Sequence, residues 1–311
     1  MNQFSIKQIN LMIACLLIFL FNSSQCYAEE NLERAWDFGI GFGYGNSSNP
    51  FIGADDIPSY LSLDIAVYGE NFFFDNGELG YTLLEKQNFG LNLITTYNSE
   101  RIYYSYLNNL GLSIFSSENS FGLSSNSPFV ALDEDTVVTF SEPLPPILPS
   151  SGNPFPLGNQ ILPFSIANKR WSLNMGFELI YDSHFGSINY QYTQNVNKTH
   201  SGSDMILGFT KNWQKKRWGF SSTVTAHWKS AQLVNYYYGV GEVYNSLFDI
   251  DYHPGSSIDV GVNLTANYRL TNHLSLVASV KFNKFASAIK NSPIIDESFK
   301  SIIFTGLYYR F

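Results

Sequence analysis

Large apolar residues alternate with polar or small ones along most of this chain of 311 residues. In the segment AWDFGIGFGY, every second residue from Trp36 to Tyr44 is large and apolar, and the residues between them are Asp37 and three glycines. A period of two is typical of a β-strand whose two faces meet different surroundings. No convincing helical period appears after residue 28, so the sequence predicts an all-β protein.

The same alternation or a similar apolar run marks thirteen candidate strands. They cover residues 36–44, 60–68, 71–85, 88–98, 102–115, 171–181, 186–195, 204–213, 218–228, 233–239, 257–268, 274–285 and 300–311.

The charged residues of these segments lie on the polar parity of their strands. Asp37, Asp64, Glu178, Asp259 and Lys281 all follow this rule. A soluble β-sandwich with inward apolar faces and a membrane barrel with lipid-facing apolar faces would both produce it. The segments run about 9 to 13 residues, longer than the usual 5 to 6 of soluble strands and close to the span of a tilted membrane strand. Length therefore favours a transmembrane antiparallel up-and-down β-barrel.

The number of strands follows from the closure rule of such barrels. Barrels formed by one bacterial chain have an even number of strands, so thirteen candidates are one too many. The weakest candidates are 71–85 and 233–239, and one of them is expected to be a loop or to be shared between neighbours. The sequence predicts twelve strands, with ten as the alternative.

Composition supports a surface that does not face water. Charged residues make up 14% of the chain, against about 25% in soluble domains, while aromatic residues make up 16%. Residues 1–28 contain an apolar run of 11 residues, too short for a membrane helix, with Ala28 at the expected cleavage site. We therefore expect a cleaved signal peptide over 1–28 and a single barrel domain over 29–311. Within it, residues 116–166 are rich in Ser, Asn and Pro and are expected to form one long loop.

The last residues read as a strand that ends without a polar tail. Leu307, Tyr309 and Phe311 alternate up to the final position. A closed barrel pairs its last strand with its first, so that no backbone group is left bare in lipid. This ending looks like the terminal signal by which the barrel-assembly machinery recognises outer-membrane proteins. We expect that machinery and outer-membrane lipid to be partners of the chain.

Four short motifs in the chain resemble the MipA/OmpV family of outer-membrane proteins. They are a Pro-x-x-Gly-x-Asp element at Pro50, Gly53 and Asp55; a Tyr-Gly-Val element at Tyr238, Gly239 and Val240; a Tyr-x-Pro-Gly element at Tyr252, Pro254 and Gly255; and an Asn-Ser-Pro-Ile element at Asn291, Ser292, Pro293 and Ile294. The resemblance covers most of the chain after residue 28 and includes the terminal aromatic residue. The Pro-rich segment 116–166 departs from the family, whose middle connector is much shorter.

The resemblance implies a non-enzymatic barrel without a cofactor. The family's founding member is described as a scaffold that joins a lytic transglycosylase to a peptidoglycan synthase at the outer membrane. Other members are linked to adhesion or to envelope stress and drug response. These partners and roles are expectations from the resemblance, because no docking motif for them is visible in the chain.

Two other functions remain open from the residues. A barrel lipase or esterase would need Ser, His and an acid together, and the candidate clusters are His200, Ser201 and Asp204, and Asp182, Ser183 and His184. Adjacent residues of a strand point to opposite faces, so neither cluster is expected to form a triad. A polar barrel interior would also allow a narrow channel.

Metal and nucleic-acid binding are not predicted. The carboxylates of Asp55, Asp56, Asp249 and Asp251 lack the spacing of a defined calcium site, and His227, His253 and His273 belong to no other cluster. Both cysteines fall within residues 1–28, so no cysteine metal site is expected after it. An acidic chain of net charge −8 is a poor binder of nucleic acid.

Overall fold

The computed structural model describes residues 36–52, 56–98, 100, 169–241 and 251–311, and the backbone of the short segments 112–116 and 142–143. The predicted signal peptide and most of the predicted loop 116–166 lie outside these residues. The strands, numbered in chain order, are β1 (Trp36–Ser47), β2 (Ile57–Tyr68), β3 (Phe72–Asp75), β4 (Glu78–Lys86), β5 (Phe89–Tyr97), β6 (Leu112–Ser116), β7 (Glu142–Pro143), β8 (Leu173–Ser183), β9 (Gly186–Asn195), β10 (Ser203–Lys215), β11 (Trp218–Lys229), β12 (Ser257–Arg269), β13 (Leu274–Lys284) and β14 (Phe299–Arg310). The described residues also contain the helices α1 (Ala231–Tyr238) and α2 (Ser287–Lys290).

Twelve of these strands pair antiparallel into a closed barrel, which confirms the predicted class and strand number. The ring runs from β1 through β2, β3, β4 and β5 to β8, and from there strand by strand to β14. It closes where β1 pairs with β14, with Gly39 opposite Arg310 and Phe42 opposite Leu307. The N–H of Phe311 donates to the carbonyl of Phe38 at 3.0 Å, so hydrogen bonding continues to the last residue.

Connections at the two ends of the barrel differ in length. At one end the links are short, covering residues 69–71, 87–88, 184–185, 216–217 and 270–273. At the other end they cover 48–56, 98–172, 196–202, 230–256 and 285–298, and the exception there is the two-residue β3–β4 link at 76–77. We call these the turn end and the loop end. In outer-membrane barrels the short turns face the periplasm and the longer loops face outward.

Three of the thirteen predicted strands differ in the structure. One of them is two strands, one lies outside the ring in its described part, and one is helical, so the ring has twelve strands. Segment 71–85 is two strands, β3 and β4, because Asn76 and Gly77 form a tight turn with φ of 47° and 98°. Of segment 102–115, the described part belongs to β6, which pairs parallel with residues 61–63 of β2 outside the ring. The two-residue strand β7, within the predicted loop, pairs with β6.

The third difference is segment 233–239, which is helical and not a strand. The Ser230 side chain caps α1 by accepting from the N–H of Leu233 at 3.4 Å. Leu233, Val234, Tyr237 and Tyr238 are buried on one side of the helix at helical spacing. The expectation of no helix was wrong here because Val and Tyr favour strands locally, and tertiary packing overrode that preference. None of the helices among the described residues has the length and apolarity needed to cross a membrane.

The outer surface of the barrel is apolar and the inner surface is polar. Large side chains on the outward parity are exposed along the wall, among them Phe42, Tyr44, Leu93, Val224 and Leu307. The inward parity carries the buried polar and charged residues. Of the five charges placed by parity from the sequence, Asp37, Glu178, Asp259 and Lys281 are each less than a tenth exposed and Asp64 is half-buried.

Glycines on the inner face of the wall make room for large side chains of neighbouring strands. A Cβ built at Gly39 would lie 1.9 Å from Oη and 2.3 Å from Cζ of Tyr308, whose hydroxyl donates to Asp64 at 2.8 Å. These distances are far below van der Waals contact. The aromatic ring therefore requires glycine at this position.

Gly39→Ala is expected to destabilise the barrel by about 1 to 3 kcal/mol, the usual cost of forcing a methyl group into a packed site. The loss should appear as a lower temperature of conversion from the folded to the unfolded band on a heat-modifiability gel. Gly90→Ala is the matched control, because its added Cβ would have its nearest contact, Cβ of Ile180, at 3.7 Å. Equal transition temperatures for the two variants would contradict this account of Gly39.

Candidate functional site

A buried glutamate on β8 is the centre of a hydrogen-bonded network on the inner face of the barrel. Three side-chain amides donate to the Glu178 carboxylate: Asn92 at 2.7 Å, Asn189 at 2.5 Å and Gln191 at 3.0 Å. All four residues are less than a tenth exposed. Their bonds join β5, β8 and β9 across the inner face, so this part of the lumen is occupied by a side-chain network.

A second network lies nearer the loop end, around Lys229 at the end of β11. The Lys229 ammonium group pairs with Glu100 and lies 3.0 Å from Oδ2 of Asp259. Asp259 also accepts from the Ser257 hydroxyl at 2.7 Å and from the N–H of Ala286 at 2.9 Å. Because Ala286 precedes α2, the network hydrogen-bonds a loop as well as the wall.

The loop end is covered by an apolar cluster formed by three loops, which we call the cap. Its buried members are Phe51, Leu233, Val234, Tyr237, Tyr238, Val240, Phe285, Ile289, Ile294 and Ile295. They come from the β1–β2 loop, the β11–β12 loop with α1, and the β13–β14 loop with α2. A buried apolar cluster of this kind holds loops that lack strand pairing of their own.

Tyr238 connects the cap to the charged network. Its hydroxyl donates to Glu100, which also accepts from Lys229. Its ring stacks against Phe51 at a centroid distance of 6.2 Å, and its carbonyl accepts from the Ser292 hydroxyl at 2.6 Å. One residue of α1 therefore contacts both other loops of the cap and the network below.

Glu100 lies near the start of the long connection between β5 and β8. Opposing effects act on the pKa of its carboxyl group. Burial raises the pKa of its carboxyl group, while the charges of Lys229 and Lys300 and the hydrogen bonds from Lys229 and Tyr238 lower it. The net direction is downward, so Glu100 is a carboxylate at neutral pH. The attraction to Lys229 is then between full charges.

Most of the motif residues singled out from the sequence come together in the cap. Val240 and Tyr252 exchange backbone hydrogen bonds of 2.9 and 2.8 Å. Ile52 donates to the carbonyl of Ile294 at 3.0 Å, and Asp296 donates to that of Pro50 at 2.9 Å. The motifs of the β1–β2, β11–β12 and β13–β14 loops are far apart in sequence, and these contacts bring them together at the loop end.

The remaining motif residues have varied positions. Gly239 ends α1, where an added Cβ would lie 2.4 Å from the Asn235 carbonyl. Asn291 ends α2 by donating to the Ser287 carbonyl at 2.9 Å, and Pro293 is partly buried. Pro254 is buried, whereas Gly255 is exposed and an added Cβ there would meet nothing within 4 Å. Gly53 and Asp55 lie outside the described residues.

The residues of the terminal signal are on the outer face at the closing seam. Leu307, Tyr309 and Phe311 are 45%, 41% and 49% exposed, and all three point away from the lumen. Phe311 lies 4.9 Å from Tyr309 and 5.1 Å from Phe38 between ring centroids. Recognition by the assembly machinery stays a prediction.

The candidate cluster around His200 does not form a triad. Nδ1 of His200 accepts from the N–H of Gly202 at 2.9 Å, and its ring packs against both Tyr236 and Tyr237. Burial lowers the pKa of His200 to about 4, against a small opposing effect of Asp204. Asp204 itself points into the lumen, where it accepts from Thr193 and lies 3.2 Å from Nε2 of His227.

The pair of Asp204 and His227 was not found from the sequence. The two are 23 residues apart and meet because the β10–β11 register brings their inward faces together. The hydroxyl of Thr193 donates to Asp204 and not to the imidazole, so Thr193 is not held as a nucleophile by His227.

The second cluster is a turn. The Ser183 hydroxyl donates to the carbonyl of Gly186 at 2.8 Å, and the carbonyl of His184 accepts from Lys211 at 2.9 Å. His253 and His273 are exposed, and His253 lies 2.9 Å from Asp251.

A metal centre finds no support among the residues that the structure describes, which contain no group of three or more His, Cys, Asp or Glu residues able to hold an ion. Asp56 accepts from Asn46 at 2.7 Å and Asn49 at 3.3 Å, and Asp249 lies outside the described residues. What this site offers chemically is a set of packed, hydrogen-bonded contacts between the cap and the lumen.

Lys229→Met is expected to loosen the cap, because it removes the cation that forms ion pairs with the buried carboxylates of Glu100 and Asp259 and leaves only the more weakly acting Lys300 near Glu100. Removing one partner of a buried ion pair costs about 3 to 5 kcal/mol. The measurement is hydrogen exchange of the α1 amides in the folded, detergent-solubilised protein, which should become much faster.

Two further variants make the Lys229 test specific. Lys229→Met combined with Glu100→Gln and Asp259→Asn removes all three charges and is expected to recover much of the protection. Lys284→Met changes an exposed lysine at the same end and should have no effect. Unchanged α1 exchange in the single variant would show that the network does not hold the cap.

Acidification is expected to open the loop that carries His200. The imidazole resists protonation until about pH 4 when packed, but takes a proton near pH 6.5 when the loop is open. The open state therefore binds more protons between these values, and the closed state loses stability as pH falls from 6.5 to 4. Exchange of the Gly202 amide, corrected for its intrinsic pH dependence, measures this.

His200→Gln provides the control, because a glutamine oxygen can still accept from Gly202 but does not titrate. The pH dependence of Gly202 exchange should be absent in this variant. If the two proteins showed the same dependence, His200 would not be its source.

A family model described as MltA-interacting protein MipA matches residues 38–311. A 24 kDa outer membrane protein of Pasteurella multocida is 24% identical over 152 residues, which cover 47% of this chain and 59% of that protein. The MltA-interacting protein of Escherichia coli is 25% identical over 134 residues, which cover 42% of this chain and 54% of that protein. The chain thus spans little more than half the length of these curated relatives.

Among solved structures, the translocator domain of the autotransporter NalP from Neisseria meningitidis aligns with a TM-score of 0.37 and 8% identity, over 98% of this chain and 95% of that one. The family match is the stronger finding, because it extends over nearly the whole barrel and includes the cap motifs. The chain belongs to the outer-membrane family of the MltA-interacting protein MipA.

Proposed function

We propose that this barrel acts by binding other envelope proteins, with a lytic transglycosylase as the first partner, and that it neither conducts solutes nor catalyses a reaction. The observation that carries the proposal is the occupied lumen. Two networks of buried, hydrogen-bonded side chains, around Glu178 and around Lys229, occupy parts of the lumen, and a packed apolar cap lies at the loop end. A barrel of this kind offers its two end surfaces to partners.

The choice of partner rests on the family. The Escherichia coli relative is named as an MltA-interacting protein, and this chain shares the family with it. A peptidoglycan synthase is a further partner implied by the resemblance of the motifs. Because peptidoglycan lies in the periplasm, the docking surface is expected at the turn end.

A narrow channel is the second candidate, and one observation favours it. A small cavity of about 10 Å³ lies in the lumen between Thr96, Gln191, Thr193, Asp204 and Ile206. A volume of this size accommodates about one water molecule. Four of its five lining residues are polar, but its volume is much smaller than that of an ion with its hydration shell.

Affinity capture tests the binding proposal directly. The full-length protein, solubilised in mild detergent from the outer membrane, is expected to retain the lytic transglycosylase of its own organism. A variant with residues 231–256 replaced by a short Gly/Ser turn lacks α1, and should still retain the enzyme because docking is expected at the turn end. Failure of the wild-type protein to retain it would contradict the proposal.

Planar-bilayer recording of the same preparations separates the second candidate. Wild-type protein is expected to give no conductance steps. Discrete steps in the wild type would favour the channel, and steps only in the variant without α1 would identify the cap as the barrier.

A further inference from the structure

Four cationic side chains lie together on the β10–β11 hairpin at the turn end. Lys215 ends β10 opposite Trp218, and Lys216 and Arg217 form the turn between them. Lys211 lies four residues before Lys215 on the same face of β10, and its Nζ donates to the carbonyl of His184 at 2.9 Å. We call these four residues the basic hairpin.

The basic hairpin contrasts with the rest of the chain. The whole chain has 26 acidic and 18 basic residues, so a group of four neighbouring cations is a local exception. Lys215, Lys216 and Arg217 are exposed, and no carboxylate of the described residues forms an ion pair with them. Three positive charges therefore face outward without an ion-pair partner in the described part of the chain.

The turn places a lysine in a backbone conformation that Asn or Gly adopts more easily. Lys216 has a φ of 57°, in the left-handed region that disfavours side chains with a Cβ. The tight β3–β4 turn uses Asn76 and Gly77 for such conformations, which is the usual solution. The hairpin thus retains a lysine at a position where Asn or Gly would be favoured by the backbone.

Lipid-facing aromatic rings lie directly beside the cations. Trp218 is 47% exposed on the outer face, with its ring 5.7 Å from that of Phe220 and 4.8 Å from that of Tyr268. Trp and Tyr mark the boundary between the apolar membrane core and the headgroups. The basic hairpin therefore lies at headgroup level and not out in the periplasm.

We propose that the basic hairpin binds the phosphate headgroup of an anionic phospholipid in the leaflet at the turn end. Ammonium and guanidinium groups pair with phosphate oxygens, and clusters of four or more Lys and Arg residues at a membrane surface attract anionic lipids. The acyl chains of the bound lipid lie along the rings of Trp218 and Phe220. This inference is independent of the proposed capture of a murein enzyme.

Native mass spectrometry of the full-length protein in detergent tests the site, with phosphatidylglycerol and phosphatidylcholine of equal chain length as probes. Wild-type protein is expected to bind the first phosphatidylglycerol on the order of tenfold more tightly than phosphatidylcholine. Lys215→Gln combined with Lys216→Asn and Arg217→Gln should reduce this preference to about onefold. Asn is chosen at 216 because it tolerates the left-handed conformation.

The matched control removes three cations at the loop end. Lys198→Asn combined with Lys284→Gln and Lys290→Gln has the same charge change, and Lys198 also has a positive φ of 58°. Its lipid preference should equal that of the wild type. A heat-modifiability gel shows whether each variant is folded. The comparison of the two lipids on the wild-type protein tests the lipid preference even if a variant does not fold.

Several results would overturn the proposal. Equal binding of the two lipids by the wild type would do so, as would a preference that survives in the Lys215, Lys216 and Arg217 variant. Displacement of the lipid by millimolar inorganic phosphate would assign the site to the free anion. Co-sedimentation with purified murein that depends on the same three cations, without a lipid preference, would assign it to the cell wall.

Discussion

Closure of the backbone hydrogen-bonding ring is the constraint on which the rest of this structure depends. In a lipid environment no water is available to an unpaired N–H or C=O group, and each such group costs several kcal/mol. The first and last strands must therefore pair, and they do so from Gly39 opposite Arg310 to Ser47 opposite Ile302. The N–H of Phe311 donates to the carbonyl of Phe38 and adds one more hydrogen bond to this seam.

A closed ring fixes what each parity of each strand can contain. Outward positions meet lipid and are apolar, while inward positions meet only one another. In this barrel they are polar, so their donors and acceptors must be satisfied within the lumen. Glu178 with its three amide donors and Lys229 with Glu100 and Asp259 are two such solutions. Glycine on the inner face, as at Gly39, gives the larger side chains their space.

The sequence predicted what depends on local period, and missed what depends on contacts between distant segments. Parity placed Asp37 and Lys281 inside the barrel, and the terminal alternation predicted the closing strand. The Asn-Gly pair at 76–77 was a visible turn signal that would have divided segment 71–85. Helix α1 was not predictable from its Tyr and Val residues, because its conformation follows from packing in the cap. The pairing of Lys229 with Glu100, 129 residues apart, has no local signal at all.

The charged network beneath the cap poses a question of energetics. Buried ion pairs often contribute no more stability than apolar residues of the same size, because desolvation offsets their attraction. Apolar packing alone already covers α1, through Leu233, Val234 and Tyr237. Such packing tolerates sliding and rotation, whereas a hydrogen bond from Tyr238 to a carboxylate that also holds Lys229 allows few geometries. We infer that the network serves to fix one orientation of α1 over the lumen, which is the role best documented for buried polar groups.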